Sequence, residues 1–229
     1  MGWAEPTGTE PTQVVTVSLR ATVAMGSKYS GYIWSVSSII GPIIQLQVQR
    51  GPLKVGKKGA QRYVTEPIAV LERLRVSPDG VVGLDGGEEI LDAHHRAHSL
   101  RKNDDGVHGV SVGFTSHYRA MRQRFGGHMR VGCAGENIIV EATRRLEPAE
   151  VASGFVILDP AGGEKGRLVD LAVAHPCKPF TGFAHRGQAV PPAVFKESLQ
   201  FLDGGLRGFY CTWAGEMAVI QPGDLLALA

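Results

Sequence analysis

Cys177 stands in the run Ala174-His175-Pro176-Cys177-Lys178-Pro179-Phe180, just past a predicted strand. In extended chain, side chains two apart share a face, so His175 and Cys177 are expected to point the same way while Lys178 approaches through the turn. Both cations would favour thiolate over thiol, and a thiolate is a nucleophile and a soft metal ligand. The prolines on either side restrict the shape of the loop. The alternative is a buried, inert thiol that packs as a small hydrophobe.

A second group lies in Gly132-Cys133-Ala134-Gly135-Glu136-Asn137, a glycine-rich turn leading into a strand. Glu136 and Asn137 are either presented to a ligand by a backbone that glycine lets approach closely, or they satisfy backbone groups of the turn itself. His94, His95 and His98 carry metal-ligand chemistry, and on a helix His94 and His98 would share a face. No HExxH or added Cys completes a zinc pattern, so a solvated histidine loop is the simpler reading. The segment Asp159 to Arg167, DPAGGEKGR, looks superficially like a phosphate loop. The GxxxxGK spacing fails and no Ser or Thr follows Lys165, which leaves a turn from which Lys165 and Arg167 could lend charge to an anion.

The elements that must position these groups follow from composition and period. With 30 Gly and 13 Pro, nearly a fifth of the 229 residues are turn formers, against about 12% in an average protein. That excess argues against long bundles and coiled coils and for short strands joined by tight turns. Strands are predicted at Val14–Leu19, at Ile138–Val140, Phe155–Leu158, Leu168–Val173, Tyr210–Trp213 and Leu225–Leu228. Leu46 and Val48 alternate with Gln45, Gln47 and Gln49 as in a half-buried strand. Gly51–Gly59 reads as a hairpin turn, and Ile68–Val76 as a strand or short helix closed by Pro78-Asp79-Gly80. Residues 83–109 form a long polar stretch of the kind that carries function. Phe114, His117, Tyr118, Met121 and Phe125 recur at helical spacing, with Thr115 or Ser116 as cap and Gly126-Gly127 as stop. A second helix fits Ala193–Leu202, starting after Pro191-Pro192 and stopped by Gly204-Gly205. The fold class is therefore mainly β with a few helices, α+β.

Charge and cysteine usage exclude several classes. The formal net charge is +2 and no basic stripe is interleaved with aromatics, which argues against a nucleic-acid partner. The uncharged stretch Tyr29–Gln49 holds four Ser, three Gln, two Gly and a Pro, too polar for a transmembrane helix. Glu5 and Glu10 occupy the place where a signal peptide needs a basic region, so a cytoplasmic protein without a membrane partner is expected. Cys133, Cys177 and Cys211 are too few and too far apart for a disulfide framework or a CxxC knuckle, and Cys133 and Cys211 are read as structural.

Taken in order, the motifs resemble the MOSC domain, named for the C-terminal part of molybdenum cofactor sulfurase. They are Gly83-Leu84-Asp85-Gly86, His117-Tyr118, Gly135-Glu136-Asn137-Ile138, Pro176-Cys177, Gly208-Phe209-Tyr210 and Gly223-Asp224. The Gly-Glu-Asn and Pro-Cys elements are the most specific. The resemblance covers residues 43–229 and leaves 1–42 as an N-terminal leader or extension, disordered over 1–13 or contributing an added strand. It departs from the family's pattern after Gly86, where many members have His-Gly-Gly and this chain has a longer polar loop with His94, His95, Arg96 and His98.

The resemblance implies a β-barrel domain in which Cys177 either ligates molybdenum or carries sulfur as a persulfide. With a molybdenum cofactor (molybdopterin), its implied binding residues are Glu136, Asn137, His117, Lys178, Arg167 and His175, with Arg186 a further nearby cation. Similarity to the amidoxime-reducing and hydroxylaminopurine-resistance proteins implies oxo transfer, reducing N-hydroxylated compounds. No GxGxxG and no Cys cluster occurs, so electrons would come from a separate reductase. The sulfur-carrier alternative would instead pair the protein with a cysteine desulfurase, and a third possibility is a binding module without chemistry.

Overall fold

The computed structural model describes residues 39–101 and 107–229. The strand predicted at Val14–Leu19 and the leader over 1–13 lie outside the described residues. The chain enters through β1 (Ile39–Gln49), a short hairpin of β2 (Lys54–Val55) and β3 (Arg62–Tyr63), then β4 (Ile68–Leu71), β5 (Arg73–Ser77), β6 (Gly80–Asp85) and β7 (Glu88–Leu91). Strand β8 (Val110–Phe114) runs into α1 (Thr115–Phe125), and the chain returns as β9 (Ile138–Val140). It continues through β10 (Phe155–Leu158), β11 (Glu164–Val173), α2 (Lys178–Ala184), α3 (Pro192–Leu202), β12 (Phe209–Ala214), β13 (Ala218–Ile220) and β14 (Leu225–Leu228).

Seven strands close into a barrel in the order β14-β10-β11-β12-β8-β9-β1, with β1 pairing back onto β14. Closure removes the sheet edges that would otherwise need covering. β1 is long enough to serve three partners: Ile39–Pro42 pairs β14, Ile43–Leu46 pairs β9, and Leu46–Gln49 pairs β4. A separate four-stranded sheet has the order β13-β5-β6-β7. The chain is thus mainly β with three helices among the described residues, the α+β class that the turn-rich composition implies, closed into the barrel that the resemblance implies.

Strand β8 and strand β9 run parallel, with Val112 opposite Ile138 and Gly113 opposite Ile139. A parallel pair cannot be joined by a hairpin, so the connection must cross over, and α1 is that crossover. Ile138 and Val140 face the barrel core with Phe114, Phe155, Phe209 and Trp213. Ile139 faces the other way, into a second cluster with Tyr63, Tyr118, Met121, Cys133, Phe180 and Leu202. Burial on both faces explains why β9 is an unbroken apolar run.

Several local readings change. Ile68–Val76 is two strands, β4 and β5, and the polar stretch at 83–109 begins within the β6–β7 hairpin, turned by Gly86-Gly87 between the paired Asp85 and Glu88. Thr115 does not cap α1 through its side chain; its hydroxyl exchanges hydrogen bonds with the backbone of Ala142, accepting at 3.0 Å and donating at 3.2 Å. The Cys177 region is a helix start rather than a loop. Pro179 lies in the first turn of α2, where its missing N–H costs nothing. No helix among the described residues is long and apolar enough to cross a membrane, and the C-terminal part of Tyr29–Gln49 is β1.

Candidate functional site

The alternation along β1 sends Leu46 and Val48 into the barrel and the three glutamines outward, but that outward face is covered. Gln47 and Gln49 are only 1% and 9% exposed. Gln47 donates through Nε2 to the carbonyl of Gly132 at 2.8 Å, and Gln49 to that of Gly135 at 2.7 Å. Both glycines are left-handed, with φ of 80° and 93°. A Cβ on Gly132 would sit 2.3 Å from Gln47 Oε1, and one on Gly135 would sit 2.5 Å from a methyl of Leu53. The turn is glycine-rich because it is pressed onto β1 in a conformation side chains resist.

Asn137 is fully committed to that frame. Its Oδ1 accepts from the backbone N–H (3.0 Å) and hydroxyl (2.9 Å) of Ser111, and its Nδ2 donates to the Gln47 carbonyl (3.2 Å) and to Asp92 Oδ2 (2.9 Å). Asp92, wholly buried, also accepts from the backbone N–H of Gln49 at 2.7 Å and of His94 at 2.8 Å. Asn137 therefore pins the end of the β7 hairpin to the barrel, with its side-chain hydrogen-bonding capacity used.

Glu136 is different. Its carboxyl fits only because two neighbours lack side chains: a Cβ on Gly113 would lie 2.5 Å from Oε1, and one on Gly208 3.1 Å from Cγ. The Tyr118 hydroxyl donates to Oε2 and itself accepts from the Ala134 N–H at 3.1 Å. Oε1 is buried without a partner. Burial pushes the Glu136 pKa up to about 7, against the opposing pull of the Tyr118 hydrogen bond and of Arg207.

Arg207 comes from the loop between α3 and β12 and is 7% exposed. Its Nη1 donates to the His175 carbonyl at 2.8 Å, and its guanidinium lies 4.1 Å from the centroid of the Phe180 ring. Its Nε is buried without a hydrogen-bond partner. Among the described residues only four buried side-chain polar atoms are so orphaned, two of them on Glu136 and Arg207, and a group left so exists for a reason. Tyr63 donates to the Cys133 carbonyl at 3.0 Å and meets Phe180 edge to face at 5.0 Å.

Cys177 is the N-cap residue of α2, extended at φ −121° and ψ 157°, half-buried against the second cluster, its carbonyl accepting from the N–H (3.0 Å) and hydroxyl (3.1 Å) of Thr181. Burial raises the Tyr210 hydroxyl pKa; Arg207 pulls it down, while Glu136, Cys177 and Asp92 push it further up. One tyrosine thus feels the thiol, the carboxyl and the guanidinium together.

The other predicted residues are placed elsewhere. His175 is exposed and its Nδ1 bonds Asp203 at 2.8 Å, holding the Asp203 carboxyl below its usual range. Lys178 is exposed on the first residue of α2. Arg167 pairs with Glu164 at 2.8 Å, and the strand between it and Val173 puts it about 20 Å from the Cys177 end of β11. His117 is buried beside Phe114, and its Nε2 accepts from the Leu146 N–H at 3.2 Å. Burial, then Arg145, push its pKa down to about 4, which keeps it neutral.

His94 bonds Asp92, His95 accepts from the Ala97 N–H and His98 from the Leu100 N–H; no metal-binding group of three such residues forms among the described residues. Cys133 and Cys211 are buried free thiols; burial pushes the first up to about 12 and raises the second further. The residues sequence reasoning missed are Arg207, Tyr63 and Asp92. Arg207 had one local signal, a lone cation inside the apolar, glycine-rich run Gly204-Gly205-Leu206-Arg207-Gly208-Phe209.

No protein-family model matches the chain, and no curated protein matches it. Among solved structures it is similar to the YuaD protein from Bacillus subtilis, with a TM-score of 0.48 and 14% identity over 81% of this chain and 93% of that one. It is also similar to YiiM from Geobacillus stearothermophilus, with a TM-score of 0.44 and 15% identity over 82% of this chain and 74% of that one. A hypothetical protein aligns at a TM-score of 0.46 and 12% identity over 83% of this chain and 69% of that one.

Proposed function

We propose that the chain is a MOSC-type protein that binds molybdenum cofactor through Cys177 and reduces N-hydroxylated compounds, with electrons supplied by a separate reductase in the cytosol. What supports this reading is a half-buried free thiol together with two buried groups, Glu136 and Arg207, each holding a polar atom without a partner, all three acting electrostatically on Tyr210. The donor set fits the cofactor: a soft sulfur for molybdenum and a guanidinium to offset negative charge. Bound there, the cofactor would supply a metal that takes an oxygen atom from substrate.

The chain's own part is to bind and to hold a proton. Cys177 offers its sulfur at the N-cap of α2, in the short connection that follows β11. Arg207, clamped by the His175 carbonyl and the Phe180 ring, fixes the loop that carries Cys177. Tyr118 occupies Oε2 of Glu136 as a donor, so when Glu136 is protonated its proton sits on Oε1. With a pKa of about 7 the group both gives and takes that proton at neutral pH. Protein purified from a host that makes the cofactor should contain molybdenum and pterin, and Cys177→Ser should lower the molybdenum content by more than about tenfold. Equal molybdenum in both sinks the assignment. An added sulfur on the Cys177 peptide, without molybdenum, selects the persulfide carrier served by a cysteine desulfurase instead.

A further inference from the structure

We infer that the cleft at the far end of α2 from Cys177 is a second site, built for a phosphate group. The cleft has a volume of about 380 Å³ and is lined by Arg124 and Phe125 of α1, His185 and Arg186 after α2, and Val194 and Ser198 of α3. Seven residues of helix separate it from Cys177, about 10 Å of rise.

Two cations face it. Arg124 has a 2.8 Å contact with Glu197, but that pair is exposed, 30% and 65% on the two side chains, and is worth little in water. Arg186 pairs with no carboxylate among the described residues. Its Nε donates to Nδ1 of His128 at 3.2 Å, and His128 Nε2 lies 3.2 and 3.0 Å from the carbonyls of Phe183 and Ala184. Carbonyls only accept, so Nε2 is the donor, Nδ1 the acceptor, and His128 is a neutral relay that orients the guanidinium without neutralising it.

The backbone makes the same point. Arg186 has φ 56° and is followed by Gly187 at φ 72°. At the end of a helix a left-handed residue is cheapest as glycine, and any side chain there is strained. The chain carries arginine at this position, in a strained conformation that aims a held guanidinium at an open cleft.

The third group selects the ligand. His185 Nε2 is 2.9 Å from Ser198 Oγ, and the Ser198 hydroxyl donates to the Val194 carbonyl at 2.8 Å. The ring nitrogen must therefore be the donor, which leaves His185 Nδ1 an acceptor. Two guanidiniums beside an imidazole acceptor suit a group with both O⁻ and O–H, as hydrogen phosphate has and sulfate lacks.

The test uses the full chain. Inorganic phosphate should raise Tm beyond what chloride does at equal ionic strength, sulfate should do so less, and amide shifts on phosphate titration should be confined to residues 124–128 and 184–198. Arg186→Gly relieves the backbone, so its Tm without phosphate should be at or above wild type while phosphate affinity falls at least about tenfold. Arg124→Gln should weaken binding without the backbone effect, and Cys177→Ser should bind phosphate like wild type, separating this site from the thiol's chemistry. A wild-type phosphate response in both arginine variants, or identical phosphate and chloride responses, overturns the inference.

Discussion

The barrel interior and the layer between barrel and helices are equally buried and chemically opposite. Inside the barrel, Phe114, Phe155, Leu168, Phe209 and Trp213 surround a thiol, Cys211, that burial keeps protonated. On the helix side, Tyr63, Tyr118 and Cys133 share their surroundings with a carboxyl and a guanidinium whose hydrogen bonding is incomplete. The closed sheet satisfies its own backbone, so its inside can be purely apolar. The helix layer is made of loops and caps, and it is there that polar groups are carried into the dry at a cost to stability.

The first way to break this contrast is Phe114→Ala. Phe114 is fully buried and touches Phe155 and Phe209, and removing it should destabilise the protein by about 3–5 kcal/mol in urea melts. A loss well under that range would mean that the barrel interior is not the stability core. Gly113→Ala, one residue earlier but facing the carboxyl, should cost about 1–3 kcal/mol, because its Cβ would lie 2.5 Å from Glu136 Oε1. Combined with Glu136→Ala the cost should largely disappear, giving a coupling of at least about 0.5 kcal/mol. Strict additivity would show that the glycine is not there to house the carboxyl.

The titration of Glu136 sharpens the comparison most. Glu136, with its pKa raised to about 7, binds a proton in the folded state that the unfolded chain has released, so stability falls as pH climbs past the unfolded value to about 7 and then levels. His117, pushed down to about 4, acts with the opposite sign: its contribution is present above the unfolded value near 6.5 and is lost as pH falls toward about 4. The two oppose each other between pH 5 and 6.5, leaving a wild-type decline centred near neutrality. Glu136→Gln keeps an acceptor for Tyr118 and removes the charge. Its stability advantage should grow from pH 5 to pH 8, to on the order of 3 kcal/mol at most. Parallel pH profiles for the two proteins would refute a neutral-range pKa at Glu136.

The sequence disclosed most where one stretch of chain decides its own environment. Ile138–Val140, Phe155–Leu158 and Leu225–Leu228 were expected with the limits they have, because each is an apolar run sandwiched on both faces. α2 escaped notice since its seven residues include Pro179 and Gly182, and a first-turn proline reads as a loop until the helix behind it is seen. The outward glutamines of β1 looked solvated because nothing local says that residues 132–135 fold over them. Glu136 and Cys177 were legible as motifs. What surrounds them was not: Arg207 reaches Phe180 and His175 across some thirty residues, and Tyr63 arrives from a hairpin before the barrel is half built. Asn137, expected to meet a ligand, sits in a place where two backbone groups, the Ser111 hydroxyl and the Asp92 carboxylate take up its side-chain hydrogen-bonding capacity.

β14 touches both β1 and β10, with Ile39 opposite Ala227 and Phe155 opposite Leu228. It is also the last barrel strand to leave the ribosome. Without it, the edges of β1 and β10 that it pairs would be bare, and a bare strand edge is a template for another chain. Four residues, Leu225–Leu228, therefore stand between a closed barrel and an open sheet.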